Sequence, residues 1–313
     1  MSGVSLALPP ETVLDGRYQV QRTLSEECSS ITYCAWDPLL ERVAAVKEFF
    51  PAALVRRQSG ETAEAAPIRE VGCRELFEKQ KERFRREAQT VARIKSLRAI
   101  APVLDVFEDN GTVYAVMEYI EGVPLAEHVR GHGPVPAGAL LDMAEPLAGD
   151  LDALHREGLF HRDVLPHKLL MTPDGSLRLG MPRFFPGAGE SVLPVVLAEG
   201  FAPLEMYQDQ RRHGAWTDIY MFSASLYYAL TGRKPPSSLD RLSEETLVPP
   251  GQLGAELPKR QEDALLWGLS VMPRARPQDM EIFARRLFTE PLPVPEPPPG
   301  RSFWEKLRRR WKR

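Results

Sequence analysis

The sequence predicts a two-lobed α+β chain: a small N-terminal lobe of antiparallel strands carrying one long helix, then a larger, mainly helical lobe. Three observations predict it. Apolar and polar residues alternate through residues 17–50 and 101–120, the period of half-buried strands. Between them the period becomes helical, and after residue 121 strand signals give way to helices. The 313 residues suffice for a sizeable core, and 43% apolar with 27% charged residues is ordinary for a globular protein.

The elements follow in order. Residues 1–16 read as an N-terminal extension. RYQVQRTL, SSITYCAWD and RVAAVKEFF read as three strands joined by turns. Residues 51–74 form a polar insertion punctuated by Gly and Pro. Over 75–96, Leu76, Phe77, Phe84, Ala88, Val91 and Ile94 recur at helical spacing among Lys, Arg and Glu. APVLDVFEDNGTVYAVMEYI holds two strand runs around Asn110-Gly111, a dipeptide suited to a tight hairpin. Residues 137–157 read as a helix, 167–180 as a hairpin turning at Asp174-Gly175, and 216–232, 258–270 and 277–289 as further helices. Residues 290–300 are a Pro-rich, extended linker, and 301–313 a basic tail.

Composition excludes some classes. A net charge of -3 gives no global pull toward nucleic acid. Cys28, Cys34 and Cys73 are too scattered for a disulfide framework or a zinc site and fit thiols of a reducing cytosol. The opening MSGVSLALPPET lacks the basic start of a signal peptide, and no window approaches the roughly 18 apolar residues of a membrane span.

AAVKEFFP, Glu87 in FRREAQTVARI, MEYIEG, HRD at 161–163, GFAPLE, WTDIYMFSASLYYALTG and Arg276-Pro277 occur in one order. In that order and spacing the chain resembles the protein kinase family, in particular bacterial serine/threonine kinases, over residues 17–289. The resemblance implies a protein-kinase-like fold with an N lobe over 17–120 and a C lobe over 121–289. It matches Lys47 to the phosphate-holding lysine and Glu87 to the helix glutamate that orients it. The strand and helix context favour that pair; an ion pair between lobes, or two unrelated surface charges, is the alternative account. Ala45 and Leu170 match positions flanking an adenine ring. Met117, Glu118 and Tyr119 match the gatekeeper and hinge; core packing accounts for these equally well without a ligand. Asp163 matches the base that accepts the substrate hydroxyl's proton.

The departures concern chemistry. Ser25, Glu27 and Ser30 replace the three glycines that let backbone amides approach phosphates. Glu26 and Glu27 put negative charge where phosphates would lie, although a solvated hairpin tip is the better reading of them. Leu165 replaces the loop lysine. Lys168 replaces the metal-binding asparagine, and an ammonium has no lone pair for a cation. Met181 stands at the metal-binding aspartate, and a thioether suits magnesium poorly. Ala198 replaces the usual threonine of the activation segment, where Ser191 is the one hydroxyl between residues 181 and 205. The bracing positions persist: Glu205 and Arg276 match a buried ion pair, and Asp218 matches the residue that holds the catalytic loop. Lys168 could instead reach phosphates and stand in for the metal. ATP therefore stays open as a ligand, and Mg2+ is not expected.

Residues 301–313 carry a charge of +6, leaving -9 for the rest of the chain. Phe303, Trp304, Leu307 and Trp311 would share one helical face, which suits an anionic membrane surface. An acidic partner, nucleic acid, packing back on the acidic domain, or a solvated tail are the other readings; nucleic acid is not expected.

Two functions compete. One is a pseudokinase, a regulatory or scaffolding module with a protein partner, cytoplasmic or peripheral at the inner face of the membrane. The other is an atypical serine/threonine kinase. A cleft closed by Met181, Leu165 and the Glu26-Glu27 tip favours the module; a carboxylate other than Asp163 facing the phosphate position favours the enzyme.

Overall fold

The structure, a computed structural model, describes residues 6–57, 63–183, 197–208 and 212–288. Ser191, the Pro-rich linker and the basic tail lie outside the described residues.

The N lobe is built on one sheet. β1 (Val13–Leu14), β2 (Tyr18–Glu26), β3 (Ser30–Asp37) and β4 (Arg42–Phe49) run in chain order. β5 (Val55–Arg56) and β6 (Ala66–Pro67) pair separately, and α1 (Cys73–Arg93) crosses the lobe. β7 (Val103–Asp109) and β8 (Thr112–Glu118) then complete the sheet in the order β1-β2-β3-β4-β8-β7. β7 and β8 turn at Asn110 (φ 49) and Gly111 (φ 73), where left-handed backbone matches the strand twist. α1 buries Phe77, Phe84, Ala88 and Val91, at spacings that place them on one face. Phe77 and Phe84 pack on Phe49 of β4, with ring centroids 5.8 and 5.4 Å away.

Two parts of the lobe differ from the sequence reading. The N-terminal extension is not separate from the domain: Leu8 and Leu14 are buried, and β1 pairs with β2. The 51–74 insertion is not merely polar surface. Arg57 pairs with Glu48, which is fully buried on β4. Glu48 also accepts hydrogen bonds from Tyr33 (2.6 Å) and Tyr114 (3.1 Å). The sequence shows no sign of this network, because a lone arginine in a polar stretch looks solvated.

β9 (Val123–Pro124) leads into the C lobe, followed by α2 (Leu125–His132) and α3 (Ala137–Arg156). β10 (Leu170–Met171) and β11 (Leu177–Arg178) form the expected short hairpin, with β10 also pairing β9. Gly122 lies so near this hairpin that a Cβ would come 2.8 Å from the Met171 carbonyl oxygen. α4 (Ala215–Thr231), α5 (Asp240–Ser243), α6 (Lys259–Gly268) and α7 (Met280–Phe288) complete the lobe. α4 is buried nearly all round, as its mostly apolar sequence requires, with Asp218 among its buried polar residues. One contiguous core runs through both lobes. Asp150 of α3 fastens the lobes' junction, accepting the N–H groups of Arg98, Ala99 and Ile100 at 2.7 Å each.

Candidate functional site

A cleft of about 630 Å³ lies between the lobes. β4 supplies Ala45 and Lys47 to it, because both point to the face opposite Glu48. Ala45 stands opposite Met117 across the β4–β8 ladder. Leu170 and Leu179 complete the apolar half of the cleft, next to Glu118 and Tyr119. Glu118 turns its carboxylate to Arg178, which donates two hydrogen bonds of 2.7 and 2.8 Å.

The other half of the cleft is charged. The β2–β3 turn folds as an ordinary tight hairpin tip, with the Glu27 N–H donating to the Ser30 carbonyl at 2.8 Å. Ser25 lines the cleft and Ser30 is buried. Glu26 is exposed, whereas Glu27 turns inward and forms an ion pair with Lys168. The Lys168 Nζ also lies 4.0 Å from Oδ2 of Asp163. Burial alone would raise the Glu27 carboxyl pKa; Lys47 and Lys168 outweigh it and hold the group at about 2. Lys47 is itself buried, which pulls its pKa below the ordinary lysine value against the opposing pull of Glu27 and Asp163.

Lys47 and Glu87 do not pair. The Lys47 ammonium donates to the Pro182 carbonyl at 3.5 Å, while Glu87 pairs with Arg83 one helical turn away at 3.0 Å. Burial raises the Glu87 pKa, opposed by Arg83 and by Arg162 of the HRD stretch. Arg162 has φ 60, a left-handed conformation that is uncommon for a residue other than glycine. Asp218 stabilises that backbone by accepting the N–H groups of His161 and Arg162 at 2.7 Å each, and it also bonds His155 Nε2 at 2.8 Å. Arg276 donates to both Glu205 oxygens, at 2.8 and 3.0 Å, and its remaining donors meet backbone carbonyls of Ser270, Val271 and Trp216.

Met181, Leu165 and the Glu26-Glu27 tip do not close the cleft, so the sign that would favour the module over the enzyme is not met. Leu165 points into the core and does not line the cleft, Glu26 stays outside, and Met181 is buried along one wall. A carboxylate other than Asp163, that of Glu27, does line the cleft, and it is paired with Lys168. Ala198 is half-buried and receives the N–H of Phe201 at its carbonyl, 3.0 Å away.

The groups around Asp163 do not fit a magnesium ion. The Lys168 ammonium stands between the Glu27 and Asp163 carboxylates, and the Met181 thioether lines the same cleft. Among the described residues no three His, Cys, Asp or Glu side chains gather to hold a metal. None of the described helices is long and apolar enough to cross a membrane.

The family model described as protein kinase domain matches residues 55–252. Ser25, Glu27, Ser30 and Lys47 lie before that match. The chain is 32% identical over 227 residues to the serine/threonine-protein kinase PknL of Mycobacterium tuberculosis, covering 71% of this chain and 51% of that one. It is 26% identical over 225 residues to the serine/threonine-protein kinase PrkC of Bacillus subtilis, covering 71% and 31%. It thus spans about half or less of the length of these curated relatives. Among solved structures, PpkA-294 in its apo form aligns with a TM-score of 0.73 and 26% identity, over 90% of this chain and 100% of that one.

Proposed function

The chain belongs to the protein kinase family, and from that premise we propose that it is a pseudokinase: a kinase-like module that regulates or scaffolds through protein contacts. One observation carries this reading. Lys168, which the resemblance matches to a metal-binding asparagine, is paired with Glu27, which it matches to a phosphate-loop glycine. Phosphoryl transfer depends on positioning and on cationic stabilisation of the developing charge. Here Lys168 is engaged by Glu27, Lys47 donates to the Pro182 carbonyl, and Met181 supplies no metal ligand. The braces at Glu205–Arg276 and Asp218 keep the helical lobe and the HRD stretch in place without the chemistry.

The rival reading, an atypical serine/threonine kinase, is favoured by Asp163, which is retained and lines the cleft with Lys47. A radiolabelled ATP transfer assay in magnesium and in manganese separates the two, using a generic protein acceptor and Asp163→Asn as control. No incorporation above the Asp163→Asn background is expected. Metal-dependent incorporation that Asp163→Asn abolishes would sink the pseudokinase reading. The basic aromatic tail, by its sequence, would tether the module to an anionic membrane surface at the inner face of the membrane.

A further inference from the structure

The charged half of the cleft reproduces, with side chains, the charges of a metal-bound polyphosphate. Glu27 brings a carboxylate to the place of a phosphate. Lys168 brings an ammonium between Glu27 and Asp163, where a metal would stand, and Lys47 adds a second cation that attracts Glu27. The contact joins the tip of the N lobe to the catalytic loop, residues 141 apart in sequence. The apolar half beside Ala45, Met117 and Leu170 is untouched by this cluster and remains part of an open cleft.

We propose that Glu27 is the specificity-determining residue of this cleft: by pairing with Lys168 and placing its carboxylate in the cleft that Lys47 also lines, it excludes polyphosphates, so the cleft takes neutral, flat ligands of the nucleoside class. A nucleotide entering with its phosphates would have to break the Glu27–Lys168 pair and then lie against the released carboxylate. A nucleoside needs neither. Without Glu27, the two lysines become an anion site that works without any metal. The inference rests on the reading of this cleft as a degenerate nucleotide site, and its failure is separable from that of the pseudokinase reading, which stands or falls on phosphate transfer.

The test is calorimetric titration of the full chain with adenosine and with ATP, each in EDTA and in magnesium. Three variants accompany it: Glu27→Gln, Glu27→Gly, and Glu26→Gln as an equal change of charge outside the cleft. Wild type should bind adenosine roughly tenfold or more tightly than ATP in both buffers, a ratio in line with like-charge repulsion at intermediate dielectric. Either Glu27 variant should gain roughly tenfold or more in ATP affinity in EDTA. Its adenosine affinity should stay the same, which also reports that the variant is folded. Glu26→Gln should behave as wild type. The proposal is overturned if wild type binds ATP as tightly as adenosine, if adenosine does not bind, if neither Glu27 variant gains ATP affinity, or if Glu26→Gln gains as much.

Discussion

At the scale of single residues, the same side-chain chemistry has opposite consequences in two places. Arg276 and Glu205 are wholly buried and fully satisfied, so their pair holds the helical lobe together. Arg276→Ala strands a carboxylate in the core and should cost about 3–5 kcal/mol, read as a lower midpoint in urea denaturation with an unchanged slope. Glu27 and Lys168 form their pair at the cleft, where it excludes charge rather than holding the core. The pH dependence of that pair has a definite sign. The Glu27 carboxyl is held at about 2, below its ordinary 4.5, so the folded state favours its charged form. Its contribution is complete above pH 4.5 and is lost as pH falls toward 2. The melting-temperature gap between wild type and Glu27→Gln should therefore be constant from pH 8 to about 5 and shrink below that. A gap that instead widened on acidification would show that Glu27 is not held by its lysines.

At the scale of elements, β4 divides the N lobe. Its alternation sends Lys47 to the cleft and Glu48 to the opposite side, where Tyr33, Tyr114 and Arg57 meet it. That network also fixes the chain's start, because Tyr33 accepts the Leu8 N–H at 3.1 Å and Arg57 donates to the Leu6 carbonyl. Arg57→Ala should cost about 3–5 kcal/mol by leaving Glu48 buried without its partner. Arg57→Met with Glu48→Gln should recover part of that loss, since no charge is then stranded. Equal losses from single and double variants in thermal denaturation would argue against a coupled pair. α1 shows the complementary case. Its apolar face packs on β4 through Phe49, while its Glu87 turns to Arg83 and toward Arg162 instead of meeting Lys47.

At the scale of the whole molecule, the lobes are joined by contacts that do not require a nucleotide. Asp150 bonds three backbone N–H groups at the junction, and the Glu27–Lys168 pair spans the mouth of the cleft. The proposed tail tether belongs to this scale too. Full-length chain should sediment with vesicles rich in phosphatidylserine, a chain truncated at residue 300 should not, and binding should weaken as salt rises. Equal binding by both chains would remove the tail from any such role.

Much of the architecture was legible in the sequence because it rests on short-range periodicity. Asn110-Gly111 marked a turn, Phe77, Phe84, Ala88 and Val91 marked one helix face, and the order of motifs from AAVK to Arg276-Pro277 marked the family. That Lys168 and Met181 are poor ligands for magnesium was legible as well, since residue identity alone decides what can ligate a metal. Tertiary structure alone decided which charges meet. Arg57 finds Glu48, Glu87 turns away from Lys47, Leu165 goes to the core, and Glu27 reaches Lys168 across the cleft. The physical reason is range. Periodicity records which face of an element is buried, whereas an ion pair depends on distances of a few ångströms between groups distant in sequence, fixed only when the lobes close on each other.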